Sequence, residues 1–311
     1  MAQRIIWIDL AKAFGIFLVV VGHVTGFAHA WIYSFHMPLF FFLSGTCLSN
    51  KRGYTEFCLK RIKSLILPYF YFGIIITLLC LYLDSIDVVW NNLSSRFFNY
   101  GAMWFIPVLF VTEILFYPIS KFRNKYLIVS ILIFSAIIGW MLSYYSIVIP
   151  LSLSTCFAAL FFYGLGFLSK ELIDRLFSKT YLLLIFVSVH LLLLLLSDTV
   201  IGMSNNVISQ PIYNFSVAIA GLLSFCMLFY LCKDIKIKGI NQIIGAGQNT
   251  LIILCFHMLF IGYAGKLIKP HINNQILYKG IEFIFIWLLC FIMIFVINRY
   301  FPWMVNRQKI K

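Results

Sequence analysis

Ile8-Asp9-Leu10-Ala11-Lys12-Ala13-Phe14-Gly15-Ile16-Phe17-Leu18-Val19-Val20-Val21-Gly22-His23-Val24-Thr25-Gly26-Phe27-Ala28 is an apolar run long enough to cross a bilayer, yet it carries Asp9, Lys12 and His23. Ionisable side chains are costly in a membrane span and persist there when they face a protein interior or a wet cavity. Wound as a helix, the three fall within an arc of roughly 60°, with His23 about three turns beyond Lys12. One face of one helix holds all the charge of the run. A signal peptide is the competing reading, with Arg4 ahead of the apolar core and Ala28-His29-Ala30 as a small-residue cleavage site. Asp9 and Lys12 sit badly in such a segment, and another apolar run begins at once. The stretch reads as an uncleaved transmembrane helix that presents a functional stripe to a protein interior.

The rest of the chain fits the same setting. Of 311 residues, 62% are hydrophobic and 11% charged, and the mean hydropathy is +0.97, outside the range of soluble globular domains. No segment alternates apolar and polar residues as a barrel strand would, so helices are the spanning element. Ten spans are expected, near residues 8–28, 31–49, 64–83, 102–119, 126–143, 147–168, 180–197, 213–231, 250–265 and 280–298. With the N-terminus in the cytoplasm, every Lys and Arg except Arg96, Lys266, Lys269 and Lys279 falls on the inner side, as the positive-inside rule requires. The net charge of +14 is then explained without nucleic acid. The eight cysteines lie mostly in apolar runs and form no Cys-x-x-Cys pair, so neither a disulfide framework nor a zinc site is supported and no metal is expected. The expectation is an all-α polytopic membrane protein of about ten transmembrane helices. Its N- and C-termini are cytoplasmic, residues 1–311 form a single integral-membrane domain, and it sits as a multi-pass protein in the cell inner (cytoplasmic) membrane.

His36 lies about one turn inside the second span, so on an antiparallel hairpin it should sit at the depth of His23. Either histidine alone reads as a packing hydrogen bonder; two at one depth point to a site. Small residues in Phe40-Phe41-Phe42-Leu43-Ser44-Gly45 suit close backbone packing. The densest basic cluster, Lys51-Arg52 and then Lys60-Arg61-Ile62-Lys63, precedes Leu67-Pro68-Tyr69. Such a cluster enforces topology and contacts anionic headgroups, and it equally suits a polyanionic cytoplasmic ligand. Glu113 lies inside a span and needs a partner or a wet cavity. Trp104 suits either stacking on a sugar ring or anchoring at the interface. His190 reads as packing, and Glu282 is expected to be solvated near the outer end of the last span. His257 follows Thr250 by two turns, and Gln248, Asn249 or Thr250 would cap a helix start able to attract anions. Asp9, three residues before Lys12, is expected to offset its charge.

Together these residues resemble the integral-membrane acyltransferase family three and, within it, the sugar O-acetylases of the fucose 4-O-acetylase kind. The matching stretches are Trp7-Ile8-Asp9-Leu10-Ala11-Lys12 with His23 and Phe35-His36-Met37-Pro38-Leu39-Phe40-Phe41-Phe42-Leu43-Ser44-Gly45. Weaker matches are Lys60-Arg61-Ile62-Lys63 with Pro68-Tyr69, Trp104-Phe105, and Gly247-Gln248-Asn249-Thr250 with His257. The resemblance implies transfer of an acyl group, usually acetyl from coenzyme A, to a hydroxyl of a glycan or lipid-linked sugar. The family motif of Arg or Lys, ten residues, then His maps onto Lys12 and His23. A second motif, two Arg separated by two residues, is partly kept: Arg61 fits the first position, while Ser64 stands at the second beside Lys63. That departure leaves open which of Lys60, Arg61 and Lys63 binds donor phosphate. Membership alone does not fix catalysis, since the family includes proteins proposed to move polysaccharide.

The expected reaction takes acetyl-CoA as acyl donor, with its phosphates on Arg61, Lys63 or Lys60 at the cytoplasmic end. Its pantetheine arm spans on the order of 15–20 Å, comparable to the roughly 16 Å rise from Lys12 to His23. His23 then acts as general base or as an acyl carrier, both of which stand at this level. Lys12 and His36 complete the catalytic set, and Trp104, Glu113 and His257 are the residues expected to meet the acceptor. The alternative is a sugar or polysaccharide transporter or flippase, which would want broken helices in corresponding positions of two halves. No such pair is visible in the sequence.

Overall fold

The computed structural model describes residues 5–83, 101–196, 201–235 and 238–306. Arg4, Arg96, Lys236, Arg307, Lys309 and Lys311, which carry part of the charge reading, lie outside the described residues. Within the described residues the chain is helical, with one isolated bridge between Gly202 and Val207. The helices are α1 (Ile6–Thr25), α2 (His29–Thr46), α3 (Tyr54–Arg61), α4 (Leu67–Leu83), α5 (Phe105–Ile119), α6 (Lys125–Tyr144) and α7 (Cys156–Ser169). They continue as α8 (Ile173–Phe177), α9 (Thr180–Leu196), α10 (Pro211–Leu231), α11 (Ile240–Gln248), α12 (Thr250–Leu267) and α13 (Gln275–Tyr300).

Each of the expected segments holds a helix. Eight helical stretches among the described residues are long and apolar enough to cross a membrane. Of the other two segments, α9 is apolar but spans 17 residues, and α2 has its hydropathy diluted by His29, Ser34, His36 and Ser44. The protein is an all-α, multi-pass membrane protein.

One boundary differs instructively. The third span starts at Tyr54 and runs without a break into α4, through a π turn at Ile62–Ile66. The basic cluster Lys60-Arg61-Ile62-Lys63 therefore rides on a helix and not on a loop. Pro68 explains the π turn: proline lacks an N–H for the α-helical ladder, and the Leu67 N–H reaches back five residues to the Ile62 carbonyl.

The hydrophobic stripe of α1 lies against α2, α10, α11, α12 and α13, which makes it the central helix of its half. It turns into α2 through Gly26 (φ 66°) and Ala28 (φ 49°), both left-handed, so the two helices form a tight antiparallel hairpin. Helices α2 and α7 cross backbone to backbone. A Cβ on Gly45 would stand 1.9 Å from the Tyr163 carbonyl oxygen, and one on Gly166 would stand 2.0 Å from that of Phe42, so the Ser44-Gly45 pair serves packing as the sequence suggested. At the end opposite the hairpin the loops meet: Lys121 donates to the Asn50 carbonyl, Asn50 Nδ2 to the Ser120 carbonyl (2.8 Å) and Lys170 to the Leu48 carbonyl (3.3 Å). Basic residues from three loops thus gather at one end of the bundle, the pattern a cytoplasmic face requires.

Candidate active site

The hairpin end of the bundle carries a histidine–tyrosine cluster. Tyr33 sits four residues into α2 and its hydroxyl lies 3.1 Å from His23 Nδ1 near the end of α1. His29 stacks on the Tyr33 ring (centroids 3.9 Å apart), and His36 meets the same ring edge-on at 4.7 Å. Tyr33 is therefore the bridge between His23 and His36, which the sequence places at one depth. From α12, His257 brings its ring to 5.4 Å from that of His23.

Two of these rings have their tautomer fixed by geometry. His36 Nδ1 lies 2.9 Å from the Ile32 carbonyl and His257 Nδ1 lies 2.9 Å from the Ile253 carbonyl. A carbonyl only accepts, so the proton of each ring sits on Nδ1 and Nε2 carries a lone pair. His257 is 0% exposed, and its Nε2 has no hydrogen-bond partner among the described residues. A buried acceptor left unmet costs free energy and marks a place where a ligand or water belongs.

A second polar cluster lies toward the basic end. Glu113 on α5, 2% exposed, faces Arg61 with its Oε2 2.8 Å from Nε, and Tyr163 on α7 donates to its Oε1 at 3.4 Å. The Arg61 contact is ionic and not a linear hydrogen bond. Lys12 and Lys60 lie within Coulombic range of the same carboxylate. Arg61 also stands over the Phe57 ring at 5.3 Å, Phe57 stacks on Tyr117 at 4.0 Å, and Lys121 stands over Tyr117 at 5.1 Å. This ladder leads from the buried pair to a cavity of about 560 Å³ whose lining includes Lys51, Arg123, Lys125, Lys170 and Glu171. There the Lys125 ammonium, 2.6 Å away, holds the Glu171 carboxyl below the ordinary carboxylate range.

Lys12 stands within Coulombic range of Glu113 and His23 sits in the histidine cluster, one at each end of the α1 stripe. Between them the helix is packed: Ile16 and Val20 are 0% exposed and Val19 is 2% exposed. Lys60 and Lys63 are both exposed. Trp104 is buried in a 3₁₀ turn, edge-on to Phe105, and Gly101 at the start of that turn packs on Met258, the neighbour of His257.

Three expectations about single residues change. Asp9 does not pair with Lys12; its Oδ2 accepts from Gln248 Nε2 at 3.1 Å. Gly247 and Gln248 of the Gly247-Gln248-Asn249-Thr250 stretch thus dock on α1, and Asn249 stands at the N-cap of α12 without a side-chain cap hydrogen bond. A Cβ on Gly247 would stand 1.9 Å from the Asp9 carbonyl oxygen, Asn249 donates to Gly245, and Asn298 donates to Asn249. Glu282 is 1% exposed rather than solvated, because it lies on the inward face of α13, where Tyr278 and Lys279 each reach one carboxylate oxygen at 2.8 Å. His190 accords with the packing reading, with Nε2 2.8 Å from Ser34 Oγ.

Tyr33 and His29 are site residues that the reading of single intramembrane histidines passes over. Their signal is present in the spacing: His29, Tyr33 and His36 stand four and three residues apart, on one face of a helix. Tyr163 carries no such signal, since only the fold brings it to Glu113.

Intramembrane ionisable residues thus gather in two clusters along one central helix of a multi-pass membrane protein. A family profile described as an acyltransferase domain, that of acyltransferase family 3, matches residues 5–298, and the chain belongs to that family. Its reaction class is therefore acyl transfer at a membrane. Neither the curated proteins nor the solved structures searched gave a match to the chain.

Proposed function

We propose that the protein is an O-acetyltransferase of the inner membrane that moves an acetyl group from cytoplasmic acetyl-CoA to a hydroxyl of a cell-surface glycan or lipid-linked sugar. The observation that carries this reading is the His23 ring, held at Nδ1 by Tyr33 and 5.4 Å from the ring of His257, whose Nε2 is unmet among the described residues. With the proton on Nδ1 donated to Tyr33, His23 presents an Nε2 lone pair to an acceptor hydroxyl. The imidazole takes the hydroxyl proton as the oxygen attacks the thioester carbonyl. The tetrahedral intermediate collapses with loss of the coenzyme A thiolate, which takes a proton from the imidazolium. His257 Nε2 accepts a hydrogen bond from the acceptor and orients it, and His36 keeps Tyr33 in place through ring contact.

At the cytoplasmic end, Lys60 and Lys63 are the exposed cations for donor phosphate. Arg61 offers its terminal nitrogens while Nε holds Glu113. Lys12 lines the inner end of the path, and the thioester reaches His23 by displacing Ile16 and Val19. Glu113 thereby acts on the donor side as the counter-ion of Arg61. Trp104, buried beside α12, shapes the acceptor end.

The test is mass spectrometry of surface glycans and lipid-linked sugars from cells with and without the protein. A mass difference of one acetyl group on one sugar is expected. Identical glycan masses in the two strains would overturn the reading.

A further inference from the structure

His29 stands between two alanines at the start of α2, and the reaction above gives it no task. The hairpin turn places it. Gly26 (φ 66°) and Ala28 (φ 49°) bring the chain back through the left-handed region, and the Ile32 N–H closes on the Ala28 carbonyl at 2.9 Å, so α2 begins at His29. Tyr33 follows one turn later on the same face of the helix. The imidazole lies flat on the phenol, with centroids 3.9 Å apart and planes 19° from parallel.

The Tyr33 ring is thereby closed in on three sides. His29 covers a face, His36 meets the ring edge-on at 4.7 Å, and α1 approaches at Gly22, where a Cβ would stand 3.0 Å from Tyr33 Cε2. His36 and Gly22 are buried, whereas His29 is the exposed wall of this slot. The hydroxyl held in the slot lies 3.1 Å from His23 Nδ1. A tyrosine ring swings between staggered rotamers about χ1, and a swing of one rotamer carries its oxygen out of hydrogen-bond reach.

We propose that His29 is a positioning residue for the acyl transfer: its ring, stacked on Tyr33, holds the phenol in the rotamer whose hydroxyl reaches His23. The kinetic consequence rests on the acyl-transfer reading above, while the placement of Tyr33 is independent of turnover. His29 acts on His23 only through Tyr33. With Nδ1 occupied by the phenol, Nε2 stays the reacting nitrogen, and a phenol that swings away leaves the imidazole free to exchange the roles of its two nitrogens. The stack uses the plane of the His29 ring and neither of its nitrogens, so a flat ring without nitrogens should serve in its place.

The test compares His29→Ala and His29→Phe with the wild type in proteoliposomes, with acetyl-CoA as donor and glycans and lipid-linked sugars from the native membrane as acceptors. His29→Ala should lower kcat about three- to tenfold, the factor that one aromatic pair supplies. KM for acetyl-CoA and the melting temperature should stay near those of the wild type, because the residue is exposed and at the hairpin end. His29→Phe should restore most of the lost rate. The same His29→Ala change made in a Tyr33→Phe background separates positioning from packing. That background keeps a ring to stack on and has no hydroxyl to place, so His29→Ala should cost nothing further there. An equal loss in both backgrounds, or a wild-type rate in His29→Ala alone, overturns the proposal.

NMR of nitrogen-labelled histidine supplies a readout that needs no turnover. His23 should hold one tautomer in the wild type and in His29→Phe, and both tautomers in His29→Ala. A single unchanged tautomer in His29→Ala overturns the proposal. Wild-type protein that shows the expected tautomers yet transfers acetyl to no acceptor would instead contradict the acyl-transfer reading and leave the positioning role standing.

Discussion

The phenolic oxygen of Tyr33 lies 3.1 Å from His23 Nδ1 across the tight α1–α2 hairpin. That contact occupies Nδ1 and leaves Nε2 as the ring nitrogen open to the acceptor hydroxyl in the proposed reaction, much as an orienting partner fixes the base in other general-base sites.

Tyr33→Phe removes the contact and keeps the ring that His29 and His36 pack against. A hydrogen bond to an imidazole that becomes charged contributes about 1.5–3 kcal/mol, so kcat should fall about ten- to a hundredfold. KM for acetyl-CoA should stay near that of the wild type. Steady-state kinetics in proteoliposomes read both values, and an unchanged kcat would remove Tyr33 from the site.

The Arg61–Glu113 contact is buried on the carboxylate side. Removing one partner strands a charge, so Arg61→Ala should destabilise the fold by about 3 kcal/mol or more. The pair Arg61→Met with Glu113→Leu should recover most of that loss while KM for acetyl-CoA stays raised. Thermal unfolding in detergent measures stability and initial rates measure the donor effect. A double variant with normal KM would place the donor elsewhere.

Ile16 and Val19 fill the α1 face between Lys12 and His23. If the thioester passes there, Ile16→Ala should lower the barrier to its passage and Val19→Trp should raise it, with turnover falling about a hundredfold or more in the latter. Acetyl-CoA binding measured by calorimetry should change little in either. Equal turnover in both variants would mean that the arm takes another route.

Gly247 lets α11 approach the Asp9 carbonyl. Gly247→Val must push the two helices apart and should destabilise by about 1–3 kcal/mol, more than Gln248→Ala, which loses one hydrogen bond to Asp9. Melting temperatures of the two variants check the order.

The membrane class, the order of helices and the stripe on α1 were legible because apolar length and the ionisable residues within it are properties of a single stretch. Partners were not. Asp9 and Gln248 are 239 positions apart in sequence, and nothing local says that Gln248 displaces Lys12 as the partner of Asp9. Glu282 shows the same limit at short range: its position near a helix end suggested water, but the face it occupies on α13 turns it inward beside Tyr278 and Lys279. His257 falls between these cases. The sequence singles it out as an intramembrane histidine, and only the fold shows its ring beside His23 with Nε2 unmet.

The most direct test of the whole account is His23→Ala, purified and reconstituted beside the wild type with isotopically labelled acetyl-CoA and membrane acceptors. Loss of transfer by about a hundredfold or more, with insertion and melting temperature preserved, is the expected result. Transfer at the wild-type rate by a correctly inserted His23→Ala protein would contradict the assignment of His23 as the base.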